Sequence, residues 1–246
     1  KADNIQKKVY DDSFSHNHDL SITGGTEKTK VLFAVNYTDE DGMKLASYYK
    51  RANVSLKVNQ KIAKNVDISL DTRYTNTKKM GDEGVRNGSG SVLSSSYRFR
   101  PIATENILGD LNAMNEGMIE NYAKQSQWDR YNPVNRINDN YSPKDYQALR
   151  GILSLNWEIV KGLTYHSDLS LNQSWNQNKT WTGAIVNSYM DDNTGEILYA
   201  GNAELEKSNK WGLRWSNTLN YDFSLGKAHR FSILAGHEVS DSGGDC

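Results

Sequence analysis

Apolar and polar residues alternate along most of the chain with a period of two, which places successive side chains on opposite faces of a β-strand. Val54 and Leu56, for example, share one face, while Ser55 and Lys57 share the other. Many of these runs reach ten residues, longer than the average strand of about five or six residues in soluble domains. The pattern predicts eight strands: His16–Thr23, Lys30–Tyr37, Arg51–Asn59, Val66–Thr75, Gln147–Ile159, Leu163–Trp175, Trp211–Phe223 and Phe231–Val239.

Aromatic residues stand at the ends of these strands on the apolar face, whereas the opposite face is polar and often charged. An apolar face toward lipid, a polar face toward water and two aromatic girdles are typical of an outer-membrane β-barrel. The pattern therefore predicts an all-β fold of consecutive antiparallel strands from a large transmembrane barrel. The aromatic residues that mark the strand ends are Tyr37, Tyr74, Trp157, Trp175, Trp211 and Tyr221.

The connections between the predicted strands alternate strictly between short and long. Gly24–Lys28, Lys61–Lys64, Val160–Gly162 and Ser224–Ala228 are short, and the connections between them, Thr38–Tyr48, Thr77–Asp145 and Gln177–Asn209, are longer. Outer-membrane barrels have tight periplasmic turns and larger extracellular loops. We therefore expect every second strand, beginning with His16–Thr23, to run in the same direction, down to a short turn.

The longest connection contains apolar residues at helical spacing, which predicts a short amphipathic helix that packs on the rim of the barrel. These residues are Leu108, Leu111, Met114, Met118 and Tyr122.

Two sets of side chains are predicted to point in opposite directions from the sheet. Leu56, Ile68, Leu155, Leu169 and Leu219 are expected to face outward, and Ser55, Asp67, Asn156, Asp168 and Asn220 are expected to face the concave side. Charged residues of the inward face are candidates for lining a lumen: Arg51, Asp67, Asp71, Arg73, Arg150, Asp168 and Arg214.

This many inward charges would not suit a closed eight-stranded barrel, whose interior is just filled by side chains. Unpaired charges in so narrow a space would be very costly. We therefore expect an incomplete, open and curved sheet of about eight strands, with His16–Thr23 and Phe231–Val239 as its edges. Strands outside the chain would complete it.

Composition excludes several other classes of protein. The chain has 246 residues and a formal net charge of −1, which gives no electrostatic reason to expect a nucleic-acid partner. Its single cysteine, Cys246, excludes an internal disulfide framework and a cysteine zinc cluster. No segment contains the roughly 20 consecutive apolar residues that a transmembrane helix needs.

Motifs for catalysis or metal binding are weak. His16 and His18 share a strand face, but a zinc site needs further ligands that the neighbouring sequence does not offer. The acidic turns Asp39–Gly42 and Asp191–Glu196 lack the spacing of a calcium loop, so turn chemistry explains them better. The chain contains no nucleophile elbow, zinc-protease motif or phosphate-binding loop. We therefore expect neither an enzyme nor a cofactor.

The predicted extracellular loops offer the better candidates for ligand binding. Aromatic rings can stack on sugars, and arginine can pair with carboxylates, so these residues suit either a glycan or a peptide. The candidates are Tyr97, Arg98, Arg100, Trp128, Tyr131, Trp181 and Tyr189.

A segment around the first predicted turn resembles a known family. His16–Lys30, which reads HNHDLSITGGTEKTK, is similar to a hallmark of SusC/RagA-type TonB-dependent transporters. The similarity extends through Ala34–Gly42 and Tyr49–Leu56, and it resumes at Tyr131–Asn135 and in the stretch from Tyr146 to Thr164. It covers nearly the whole chain as mid-barrel sequence.

The resemblance implies active import of a large nutrient, an oligosaccharide or a peptide, across a bacterial outer membrane. Its implied partners are a SusD-like surface lipoprotein, the TonB complex and the lipid bilayer. Such a barrel has about 22 strands, so residues 1–246 are expected to be only part of the barrel domain. The plug domain, the C-terminal strands and the TonB box, through which TonB would bind, are expected to lie outside this part.

The alternatives are a surface β-sandwich that binds glycans and a secreted enzyme domain. A sandwich would bury its apolar face against a second sheet of the same chain.

Overall fold

The computed structural model describes residues 5–81, 96–97, 133–183, 189–191, 193–198, 201–226 and 228–246. All eight predicted strands are present, and each is longer than predicted. In chain order they are β1 (Ser15–Gly25), β2 (Thr29–Asp41), β3 (Tyr48–Ala63), β4 (Val66–Met80), β6 (Lys144–Val160), β7 (Leu163–Thr182), β10 (Asn202–Leu225) and β11 (His229–Asp245).

Three two-residue strands and two short helices complete the described elements. The strands are β5 (Asn140–Tyr141), β8 (Tyr189–Met190) and β9 (Ile197–Leu198), and the helices are α1 (Ile5–Val9) and α2 (Pro133–Asp139). Strand β5 pairs with β7, whereas β8 and β9 pair only with each other. The helix predicted around Met114 falls outside the described residues.

The eight long strands form one sheet in the order β1-β2-β3-β4-β6-β7-β10-β11, and every neighbouring pair is antiparallel. Strands β1, β3, β6 and β10 therefore run in the same direction, as predicted. The short turns contain residues 26–28, 64–65, 161–162, 226 and 228, and they lie at one end of the sheet, the turn end. The longer connections lie at the other end, the loop end.

The sheet is open among the described residues. Strand β1 pairs only with β2, and β11 pairs only with β10, so the first and last long strands are the two edges. This confirms the expectation of an incomplete sheet. A closed small barrel would require backbone pairing between β1 and β11.

The first short turn explains part of the sequence hallmark. Oγ1 of Thr26 accepts hydrogen bonds from the backbone N–H groups of Lys28 (3.2 Å) and Thr29 (3.1 Å), and this closes the turn. Gly25 has φ = +153°, and a Cβ atom at this position would collide with the carbonyl oxygen of Thr29. The geometry of the turn thus requires glycine at position 25, and the hydroxyl group of Thr26 supplies the acceptor that closes it.

No second layer covers the sheet among the described residues. The buried apolar side chains there are Ile5, Val9, Pro133 and Ile137, all in α1 or α2, and Val9 and Ile137 belong to a small cluster between these helices. Many leucines of the long strands, including Leu153 and Leu169, are more than 40% exposed. The alternative of a β-sandwich, which would bury these residues in its core, is therefore wrong for the described part of the chain.

Candidate functional site

One face of the sheet, the polar face, carries all seven charged residues that were predicted to line a lumen. The register shows this directly, because residues paired across neighbouring strands share a face. Arg73 is paired with Arg150, Asp67 with Asn156, and Ser170 with Arg214. That this face lines a lumen stays a prediction. The seven residues are Arg51, Asp67, Asp71, Arg73, Arg150, Asp168 and Arg214.

The predicted outward and inward sets also fall on opposite faces. Ile68 is paired with Leu155 on one face, and Asp67 is paired with Asn156 on the other. Because side chains alternate along each strand, the remaining members follow the same division. We call the face that contains Ile68 the apolar face.

A ladder of hydrogen bonds crosses the polar face from β1 to β4. Nδ2 of Asn36 donates to Oδ1 of Asn17 (3.0 Å) and to Oδ1 of Asp19 (2.6 Å). Nδ2 of Asn53 donates to Oδ1 of Asn36 (3.0 Å), and Oγ1 of Thr75 donates to Oδ1 of Asn53 (2.8 Å). The ladder fixes polar side chains on four consecutive strands. Sequence reasoning missed it, since the only available signal was the alternation of Asn with apolar residues.

A second polar cluster lies nearer to the turn end, on β6 and β7. The imidazole of His166 is 2.6 Å from Oδ1 of Asn156 through Nδ1 and 2.9 Å from Oδ2 of Asp168 through Nε2. The side chains of His166 and Asp168 are 37% and 33% exposed, so the cluster is open to water. The sequence predicts that Asp168 faces inward, but it does not predict the hydrogen bond between Asp168 and His166.

A basic depression lies on the polar face nearer to the loop end. It is lined by Arg73 of β4, Arg150 of β6 and Lys210 of β10, together with small residues of the same strands, Ala148 and Gly212. Arg73 and Arg150 were predicted, but Lys210 was not, because the apolar pattern placed the start of its strand at Trp211.

The apolar face carries two rows of aromatic side chains. The turn-side belt contains Trp157, Tyr165 and Tyr221, and the loop-side belt contains Tyr37, Tyr74, Trp175 and Trp211. On β7, ten residues separate the Tyr165 and Trp175 positions, which is about 33 Å along a strand. With a strand tilt of about 40°, the belts are about 25 Å apart, the height of the apolar band of outer-membrane barrels.

The predicted loop residues have mixed outcomes. Tyr97 is 70% exposed. Trp181 does not lie in a loop: it belongs to β7 and lies on the apolar face, paired with Tyr141 and Ala203. The backbone of Tyr189 is part of β8. The other candidates, Arg98, Arg100, Trp128 and Tyr131, lie outside the described residues.

Trp181 was misplaced because β7 and β10 continue past the loop-side belt with polar residues on both faces. Asn178 and Lys179 follow each other in β7, and Glu206 and Lys207 do so in β10. Without apolar–polar alternation, this stretch resembles a loop in sequence, although Asn178 is paired with Glu206 and their side chains are hydrogen-bonded (3.0 Å).

Within the described part of the chain, no group of three or more His, Cys, Asp or Glu side chains could hold a metal ion. His16 and His18 instead make an edge-to-face ring contact, with centroids 5.1 Å apart. None of the helices described here is both long and apolar enough to cross a membrane.

No protein-family profile matches the chain. TonB-dependent receptor P3 of Formosa agariphila is 24% identical over 239 residues, which are 94% of this chain and 22% of the receptor. TonB-dependent receptor P39 of the same organism is 26% identical over 225 residues, covering 89% of this chain and 19% of the receptor. The chain thus spans about a fifth of the length of the receptors it matches.

Solved structures show the same arrangement of strands. The RagAB peptide importer in its closed-closed state superposes on 99% of this chain and 27% of its own chain, with a TM-score of 0.69 and 15% identity. The open form of the ferric-catecholate import receptor Fiu from E. coli K12 has a TM-score of 0.56 and 12% identity over 94% of this chain and 33% of that chain. The resemblance to TonB-dependent receptors is confirmed.

These likenesses establish the fold: the open antiparallel sheet has the strand arrangement of TonB-dependent receptor barrels. The matched proteins are named as receptors and importers rather than enzymes, in agreement with the expectation from the sequence. A barrel of this type is an outer-membrane structure, which agrees with the expected bacterial outer-membrane location.

Proposed function

We propose that the chain forms a sector of the barrel wall of a TonB-dependent transporter that imports a large nutrient, an oligosaccharide or a peptide, across the outer membrane. The observation that carries the proposal is the open antiparallel sheet with one polar face and one apolar face bordered by two aromatic belts. Its likeness to RagAB, a peptide importer, supports import of a large solute.

In this proposal the apolar face contacts lipid, and the polar face lines the lumen. The exposed leucines then lose contact with water by facing hydrocarbon, at about 25 cal/mol for each Å² of apolar surface. The loop end faces the outside, where long loops are found in such barrels, and the turn end faces the periplasm. Strands beyond β1 and β11 would close the wall.

The proposed partners follow from the same assignment. A plug domain would occupy the lumen, TonB would act from the periplasmic side, and a SusD-like lipoprotein would cover the loop end. Energy transduction would need the plug and the TonB-binding segment, which the strands described here do not supply.

The test is import by the full-length protein that contains this chain. Cells that carry the intact gene, a deletion of the gene or a deletion of TonB would be supplied with pools of labelled oligosaccharides and labelled peptides of about six units. We expect one pool to be depleted only when both the gene and TonB are present. Equal depletion by the three strains for both pools would contradict the proposal.

A further inference from the structure

The basic depression on the polar face brings three positively charged side chains close together. Arg73 and Arg150 are direct partners on neighbouring strands, and their side chains are exposed. Lys210, also exposed, lies two strands farther along the sheet, about 10 Å away across it. Like charges directly opposite each other in a sheet are destabilising. An anion between the two arginines would remove this repulsion.

The acidic residues on the polar face of these strands do not supply that counter-ion. Asp71, the nearest acid on β4, has its Oδ2 atom 3.6 Å from Nζ of Lys57. The positions that flank Arg73 and Arg150 in the register are Ser55 and Asn172, both uncharged. Among the described residues, none of the three cations takes part in an ion pair.

The three cations of the basic depression lie at a defined level along the strands. Arg73 precedes Tyr74 in β4, and Arg150 follows Leu149, the cross-strand partner of Tyr74. The three cations therefore lie at the level of the loop-side belt. In the proposed transporter this is the outer half of the lumen, just below the polar extensions of β7 and β10 beyond the belt.

We propose that Arg73, Arg150 and Lys210 bind the carboxylate or sulfate groups of an acidic oligosaccharide. This inference rests on the proposed function and names the chemical class of its cargo. Guanidinium groups suit such anions because each can donate two parallel hydrogen bonds to two oxygens. The three cations lie on β4, β6 and β10, with β7 in between, and this spacing suits an extended chain with several anionic groups better than a single small ion.

The neutral residues of the depression favour a sugar over a peptide. Asn172, Ser174 and Thr75 line it together with Tyr146. Amide and hydroxyl groups match the many hydroxyl groups of a sugar, and the tyrosine ring offers a stacking surface. Arginine clusters also bind acidic peptide motifs, so the choice of a sugar rests on these neutral groups and on the lack of an unpaired strand edge for a peptide backbone. Strands β4, β6, β7 and β10 are paired on both sides, so they offer no such edge.

The experiment uses the full-length protein that contains this chain, purified in detergent, and measures binding by calorimetry in low salt. The probes are a chondroitin-type sulfated hexasaccharide, the same hexasaccharide after desulfation and carboxyl reduction, and hexaglutamate. The variant R73Q/R150Q removes two charges from the depression. The control K30Q/R230Q removes two exposed charges from the same face near the turn end.

We expect the sulfated hexasaccharide to bind at least about tenfold more tightly than its neutral form, and we expect R73Q/R150Q, but not K30Q/R230Q, to lose this advantage. Absent binding, equal binding of the neutral form, or an equal loss in the control would overturn the proposal. Preference for hexaglutamate would overturn it in favour of an acidic peptide. Because binding does not require TonB, these results are independent of the import test.

Discussion

The hydroxyl group of Tyr165 donates a 2.6 Å hydrogen bond to Oδ1 of Asn217, between the neighbouring strands β7 and β10 and on the apolar face. Close by, Nε1 of Trp215 donates to Oγ of Ser167 at 3.0 Å. An unsatisfied polar group costs several kcal/mol in hydrocarbon. The hydroxyl group of Tyr165 and the indole N–H of Trp215 thus donate to protein acceptors instead of facing lipid unpaired.

Replacing Tyr165 with phenylalanine is expected to lower the free energy of unfolding by about 1–3 kcal/mol, because Oδ1 of Asn217 loses its donor. Urea unfolding in lipid vesicles would measure this change. The double variant Y165F/N217L removes both partners and should recover most of the loss. An unchanged stability for Y165F would show that water reaches Asn217 and that this part of the face is not in lipid.

At one level of the wall, an introduced arginine is expected to cost much more folding free energy on the apolar face than on the polar face. Leu169→Arg places a charge on the apolar face and should cost about 2–4 kcal/mol of folding free energy in a bilayer. Ser216→Arg places the same charge on the polar face, where the cross-strand partners of Ser216 are Asp168 and Glu238. Vesicle unfolding should show a much smaller cost for this variant. Equal costs would contradict the assignment of lipid and lumen faces.

The sequence was sufficient to predict the parts of this fold that depend on a period of two. Every long strand, the alternation of turns and loops and the division between Leu169 and Asp168 follow from that one pattern. It did not reveal partners across strands, such as Asn217 for Tyr165, because these depend on register. The pattern ends at Trp175 in β7, and the polar continuation to Thr182, which pairs with Asn202, resembles a loop in sequence.

Gly162, in the turn between β6 and β7, is expected to resist substitution. Its φ angle is +86°, and a Cβ atom would collide with the carbonyl oxygen of Asp222. The backbone N–H of Asp222 donates to the carbonyl of Gly162 at 2.7 Å, so the two segments cannot separate without losing this bond. Gly226, at φ = +66°, has open space around it. Gly226→Ala should cost about 1–2 kcal/mol, and Gly162→Ala should cost more in the same urea unfolding assay. Equal costs would show that the clash is relieved by a small backbone shift.

The two edges of the sheet are long strands. Strands β1 and β11 each leave one side without a backbone partner among the described residues. A bilayer does not tolerate such an edge, because every unpaired N–H and C=O group would lie in hydrocarbon. In water, long unpaired edges promote aggregation. We therefore expect residues 1–246 alone to aggregate rather than insert into vesicles, whereas the full-length protein inserts.

Hydrogen exchange distinguishes this explanation from simple instability of the isolated chain. In the full-length protein, peptides from β1 and β11 should be as protected as peptides from β6, which is paired on both sides here. Such protection requires that further strands bond to the outer sides of β1 and β11, since amides that face an open edge exchange quickly. If β1 and β11 exchanged much faster than β6 in the full-length protein, the edges would remain open there. The sheet would then not be a sector of a closed wall, and neither of its faces could be assigned to a lumen.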